Sequence, residues 1–134
     1  MTWPLQLLGK PWVKGAEGPE AFDCWGLVRY AHRQFLGNVL PPVPVDADKP
    51  LALRRAIAAE ASTGPWIEVD PDELQEGDVV MLSQAREPDH VGVWLAAGGV
   101  LHCVRRAGVL YQGLGSLKRN GWNLGKCYRF TAGD

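Results

Sequence analysis

Three cysteines (Cys24, Cys103, Cys127) and three histidines (His32, His90, His102) are the side chains of this 134-residue chain best suited to nucleophilic and proton-transfer chemistry. Cys24 lies in Phe22-Asp23-Cys24-Trp25-Gly26, one position after a good helix cap, Asp23. That spacing predicts a sulfur at a helix N-terminus, where unpaired backbone amides favour thiolate over thiol. The same position also suits a small buried hydrophobe, and position alone does not choose between the two. A thiol nucleophile needs a base. His32 is eight positions further along the same helix, about 12 Å of rise, too far to serve, and reads as a solvated or partly packed residue.

His90 and His102 fall on two short runs joined by Ala96-Ala97-Gly98. With a three-residue loop, Leu95 faces Gly99, Gly92 faces His102, and His90 becomes the diagonal neighbour of His102 on one face. Gly98 suits the left-handed third position of such a loop, whereas a two-residue loop would put the imidazoles on opposite faces. In this reading His90 takes the proton from Cys24 and returns it to a leaving amine, and His102 holds the His90 ring in the useful tautomer. The amide of Cys24 is the nearest donor for an oxyanion. Cys103 has the opposite parity and points away from this site; Cys127 finds no partner. The odd cysteine count, with no CxxC pair, predicts neither a disulfide framework nor a zinc knuckle.

Two helices and a run of strands must position these groups. Cys24, Leu27, Val28, Ala31 and Phe35 recur on one face of a helix from about Cys24 to Leu36, ended by Gly37-Asn38. Four of the ten prolines fall between Val39 and Pro50, which predicts an irregular surface connection. A second helix follows from about Leu51 to Ala61, with Leu53, Ile57 and Ala61 on one side and Gly64-Pro65 as its stop. Then the period changes. Trp66 to Val69, Asp78 to Leu82, His90 to Leu95, Val100 to Val104, Val109 to Gln112 and Lys126 to Phe130 read as strands separated by Gly, Pro and Asp turns. Helices first and hairpin-spaced strands second predict an α+β domain with an antiparallel sheet. The acidic stretch Asp70 to Asp78 reads as a turn, not a calcium loop of alternating ligands.

Composition narrows the function classes. The length suits one domain, residues 1–134. Fourteen basic against fifteen acidic residues, with no basic run, argue against a grip on nucleic acid. No apolar run approaches the roughly 18 residues of a membrane helix, and the start MTWPLQLLGKPW lacks the pattern of a signal peptide. Arg86, Glu87, Asp89 and Arg105-Arg106 flank the histidine strands and could meet an anionic peptide, though such surface charges are usually just solvated.

The string GKPWVKGAEGPEAFDCWGLVRYAHRQFLG, followed by EGDVVML and DHVGVWLAAGGVLHCV, resembles the NlpC/P60 cysteine peptidases from Gly9 to about Phe130. The resemblance implies a papain-like α+β fold, with the cysteine helix packed on an antiparallel sheet. It places Cys24 on the nucleophile, His90 on the general base and His102 on the third, orienting residue. It implies hydrolysis of amide bonds in peptidoglycan stem peptides, with no metal or cofactor. Trp12, Asp23 and Trp25 are then candidate substrate-binding residues; Trp12 replaces the family's usual tyrosine and Trp25 its commoner serine. FDCWGLVR looks most like the peptidase domains of bacteriophage and prophage tail proteins. That implies assembly in the host cytoplasm, then a place in the virion tail with tail-tip proteins as partners. A catalytically idle tail assembly protein and a thiol acyltransferase on the same fold are the alternatives.

Overall fold

A computed structural model describes residues 3–41 and 52–131. Most of the expected connection Val39 to Pro50 and the expected start of the second helix at Leu51 lie outside the described residues. The elements run α1 (Trp3–Leu7), α2 (Cys24–Ala31), α3 (Ala52–Thr63), β1 (Trp66–Val69), β2 (Val79–Ser83), β3 (His90–Leu95), β4 (Gly99–Val104), β5 (Gly108–Gly113), α4 (Leu114–Arg119) and β6 (Asn123–Phe130). The strands form one antiparallel sheet in the order β1-β6-β2-β3-β4-β5, so the chain's last strand is inserted between the first two. No described helix is long and apolar enough to cross a membrane.

The α+β class, the two main helices and all six strands agree with expectation; α1 and α4 are additions. Neither added helix has the length that makes apolar periodicity readable. The cysteine helix reaches Leu36 as expected, but its last turn, His32–Leu36, is a π-helical turn ending at Gly37, whose φ of 76° is the left-handed cap.

Alternation along the strands separates two apolar clusters. One face of the sheet, with Val79, Met81, Val91, Val93, Leu101 and Cys103, packs against Leu27, Val28 and Ala31 of α2. The other face, with Val80, Leu82, Trp94, Val100 and Cys127, is covered by Leu117 of α4 and by Trp122. Asp78, buried at the head of β2, accepts from Arg129 Nε at 2.9 Å and Nη2 at 2.8 Å, a bidentate pair that ties β2 to β6. His32 departs from expectation. It is buried, with Nε2 donating to Gly77 O at 2.8 Å and Nδ1 accepting from Asn38 Nδ2 at 3.2 Å, so it clamps the end of the cysteine helix to the turn before β2. Burial lowers its pKa, which keeps it in this neutral form.

Candidate active site

Cys24 opens α2 because Asp23 caps the helix from both sides. Asp23 Oδ1 accepts from the Gly26 amide at 2.6 Å and Oδ2 from the Gly15 amide at 3.0 Å. A Cβ at Gly26 would collide with the carbonyl oxygen of Ala16, so only glycine lets the preceding loop press against the helix start. The thiol is half-buried. Its pKa is raised, chiefly by burial and then by the charges of Asp23, Glu87 and Asp89; the Trp25 amide pulls the other way and is outweighed. The helix-start effect therefore exists but does not prevail, and the resting group is the thiol.

The two histidines stand together on the opposite face of the sheet. Leu95 pairs with Gly99, and Gly98 takes a φ of 106°, which is the three-residue loop that the parity argument requires. His90 Nε2 and His102 Nδ1 are 2.9 Å apart, with both rings buried. Gly92 leaves the space for this bond: a Cβ there would lie 3.0 Å from His102 Cβ and 2.9 Å from the Leu101 carbonyl oxygen. Trp122 stacks on His90 at 4.7 Å between centroids and meets His102 edge-on at 5.3 Å, shutting water away from their hydrogen bond. His102 Nε2 lies 2.8 Å from Gln112 Oε1, and Gln112 Nε2 donates to Ser116 Oγ at 2.9 Å. Burial, then the neighbouring His90, brings the His102 pKa down to about 4, so this ring is neutral near neutral pH.

The remaining nitrogen of His90, Nδ1, is buried and faces Glu87 Oε2 at 3.1 Å, an ion-pair contact. Burial pushes the Glu87 carboxyl up, but His90 and Arg105 together outweigh it and hold the group below its ordinary pKa. Among the described residues no hydrogen bond joins Cys24 to His90. Glu87 is the neighbour they share, since its charge also acts on the thiol.

The family model for NlpC/P60 matches residues 9–123. The chain belongs to the NlpC/P60 family. It is 35% identical over 104 residues to the murein DD-endopeptidase MepH of Escherichia coli, covering 75% of this chain and 34% of that protein. It is 33% identical over 97 residues to a probable endopeptidase of Corynebacterium glutamicum, covering 72% and 38%. A gamma-DL-glutamyl hydrolase of Bacillus subtilis is 32% identical over 101 residues, covering 73% and 21%. The chain thus spans well under half the length of the curated relatives it matches. Among solved structures, the NlpC/p60 domain of the peptidoglycan hydrolase SagA superposes with a TM-score of 0.60 at 20% identity, covering 95% of this chain and 92% of that one. NlpC2 of Trichomonas vaginalis gives 0.66 at 20% identity, covering 96% and 44%; these two likenesses establish the NlpC/P60 fold.

The three residues expected at the substrate have visible structural duties. Both Asp23 oxygens are taken by backbone amides. Trp25 is 6% exposed, lies in the core, and donates its indole N–H to Pro41 O at 3.1 Å. Trp12 keeps a partly open ring, with the Arg105 guanidinium 4.9 Å above it. Cys103 does face away from the histidines, with its thiol 3.3 Å from Phe22 O on the α2 side of the sheet. Sequence reasoning passed over Gln112, Ser116 and Trp122 and gave Asp89 no structural duty. Asp89 accepts from the Leu53 and Arg54 amides at 2.7 and 2.8 Å, capping α3 from a distant loop. Gln112 was within reach of the parity argument: β5 pairs Leu110 with His102, which puts Gln112 diagonally beside it on the same face.

Proposed function

We propose that this NlpC/P60 chain is a cysteine endopeptidase that hydrolyses amide bonds in peptidoglycan stem peptides, with Cys24 as nucleophile, His90 as general base and His102 as its orienting partner. The observation that carries this reading is the buried His90–His102 bond, sealed by Trp122, which leaves His90 Nδ1 outside the relay and turned to Glu87. In the reaction, the Cys24 S–H proton passes to His90 Nδ1 as Sγ bonds to the carbonyl carbon. The oxyanion meets the Cys24 amide. Collapse expels the amine, which takes the proton from His90, and water then frees the acyl group by the reverse sequence. Because the resting thiol is protonated and not bonded to His90, the pair closes as substrate displaces the Glu87 contact; catalytic hydrogen bonds commonly tighten only in the substrate complex. Trp12 offers its open ring to the substrate, with Asp23 and Trp25 holding the ground beneath it. The likeness of FDCWGLVR to tail peptidase domains supports a place in a bacteriophage tail, where tail-tip proteins would bring the domain to the wall.

The test is mass spectrometry of fragments from a defined muropeptide incubated with the protein. Wild type releases fragments, and Cys24→Ala, with an unchanged circular dichroism spectrum, releases none. Release by Cys24→Ala overturns the mechanism. The raised thiol pKa and the absent Cys24–His90 bond favour one second reading, a tail assembly protein that keeps the fold without the chemistry. Under that reading wild type releases nothing, and a thiol probe labels Cys24 no faster than Cys103 or Cys127.

A further inference from the structure

We propose that Gln112 is a positioning residue whose side-chain carbonyl sets the tautomers of both histidines and so decides which nitrogen of His90 takes the thiol proton. The inference rests on the peptidase reading above. Its logic is a chain of donors and acceptors. Gln112 is half-buried and lines an open groove of about 390 Å³ with Gln84, Arg86, Asn120 and Trp122, where an untethered amide would rotate. Ser116 Oγ, 2.9 Å from Gln112 Nε2, accepts the amide N–H and turns Oε1 toward His102. An oxygen there can only accept, so His102 carries its proton on Nε2. A neutral His102 then has a bare Nδ1, which accepts from His90 Nε2–H across the 2.9 Å bond. With its proton on Nε2, His90 turns Nδ1 to Glu87 Oε2, 3.1 Å away, and this nitrogen takes the thiol proton once substrate has displaced that contact. Proton uptake at Nδ1 then gives an imidazolium flanked by the Glu87 carboxylate on one side and the His102 lone pair on the other.

The opposite amide orientation would reverse every step. Gln112 would donate to His102 Nε2, His102 to His90 Nε2, and His90 would hold its proton on Nδ1 against Glu87, with no lone pair there to take the thiol proton. Two readouts follow, histidine side-chain ¹⁵N shifts at mildly alkaline pH and the pH profile of kcat/KM on a defined muropeptide. Wild type is expected to show Nε2–H on both rings. Gln112→Leu, similar in size but without an acceptor, is expected to lose the His102 Nε2–H form and to lower kcat/KM about ten- to hundredfold, mainly through kcat; removing groups that orient a functional histidine from behind has effects of this order. Gln112→Glu keeps an acceptor, so most of the rate returns, and its added negative charge moves the acid limb of the profile to higher pH.

A purely structural Gln112 would leave the ¹⁵N shifts unmoved. Unchanged shifts in Gln112→Leu, no return of rate in Gln112→Glu, or Nδ1–H with a bare Nε2 on wild-type His90 each overturn the proposal. If Gln112→Leu does not fold, the Gln112→Glu rate and the wild-type shifts decide. An inactive wild type with Nε2–H on both rings would instead overturn the peptidase reading and leave the relay standing.

Discussion

On the face of the sheet turned to α2, Val79, Met81, Val91, Val93 and Leu101 meet Leu27 and Val28 in an almost wholly apolar contact, while the opposite face buries two imidazoles under an indole and joins them to an amide and a hydroxyl. Cys24 belongs to the first region and His90 to the second. Cys24 is placed by helix capping and by apolar packing, which is non-directional and tolerates small shifts. His90 is placed by hydrogen bonds, each fixing one proton. A buried polar relay requires every member to be satisfied, so it defines orientation where the apolar side defines only position. Glu87, beside His90 and close enough for its charge to act on Cys24, spans the two.

The largest expected effect breaks this comparison at its polar end. His90→Gln keeps a polar side chain but loses the proton acceptor, so kcat on a defined muropeptide falls about 10²- to 10⁴-fold. Thermal stability measured alongside separates the roles: a fall in rate with the melting temperature nearly held supports a division of labour between the faces. Retention of the wild-type rate would remove His90 from the chemistry.

Acid separates the faces next. His102 has a folded pKa of about 4 against an ordinary 6.5. Its contribution is fully present above about pH 6.5, where both states are neutral, and is lost as pH falls toward 4, because the unfolded chain takes up the proton first. A shift of that size corresponds to on the order of 3 kcal/mol. Denaturant melts at pH 7 and at pH 4.5 should show wild type losing more stability than His102→Asn. His32, clamped at the far end of the cysteine helix, is also lowered by burial and has the same sign. Equal losses in wild type and His102→Asn would mean that the relay does not resist protonation.

How legible these regions are from sequence follows from the range of the forces. The cysteine helix, its Asp23 cap and the Ala96–Gly98 loop depend on neighbours in the chain, and the periodicities show them. The pairing of His90 with His102 depends on one loop length, so strand parity recovers it. What stays hidden is long-range. Trp122 stacks on His90 from beyond two further strands, Asp89 caps α3 from 36 positions away, and His32 is buried by a turn 45 positions on. No local pattern records those contacts. The balance at the thiol is hidden for a related reason: the dipole of a helix start and the Asp23 charge are local, but the burial and the Glu87 and Asp89 charges that also raise its pKa come from elsewhere in the fold.

The smallest expected effect sharpens the comparison at its apolar end. Asp23 does two opposed things for Cys24: it orders the helix start by accepting from Gly26 and Gly15, and its charge raises the thiol pKa. Asp23→Ala removes both and should cost about 1 kcal/mol in denaturant melts, the usual value of an N-cap. Asp23→Asn retains a cap oxygen while deleting the charge, so it costs less and lets Cys24 react faster with iodoacetamide at a given pH. Should Asp23→Asn slow alkylation instead, the hydrogen bonds at the helix start outweigh the neighbouring charge. Cys24 would then be governed, like His90 across the sheet, by directed bonds.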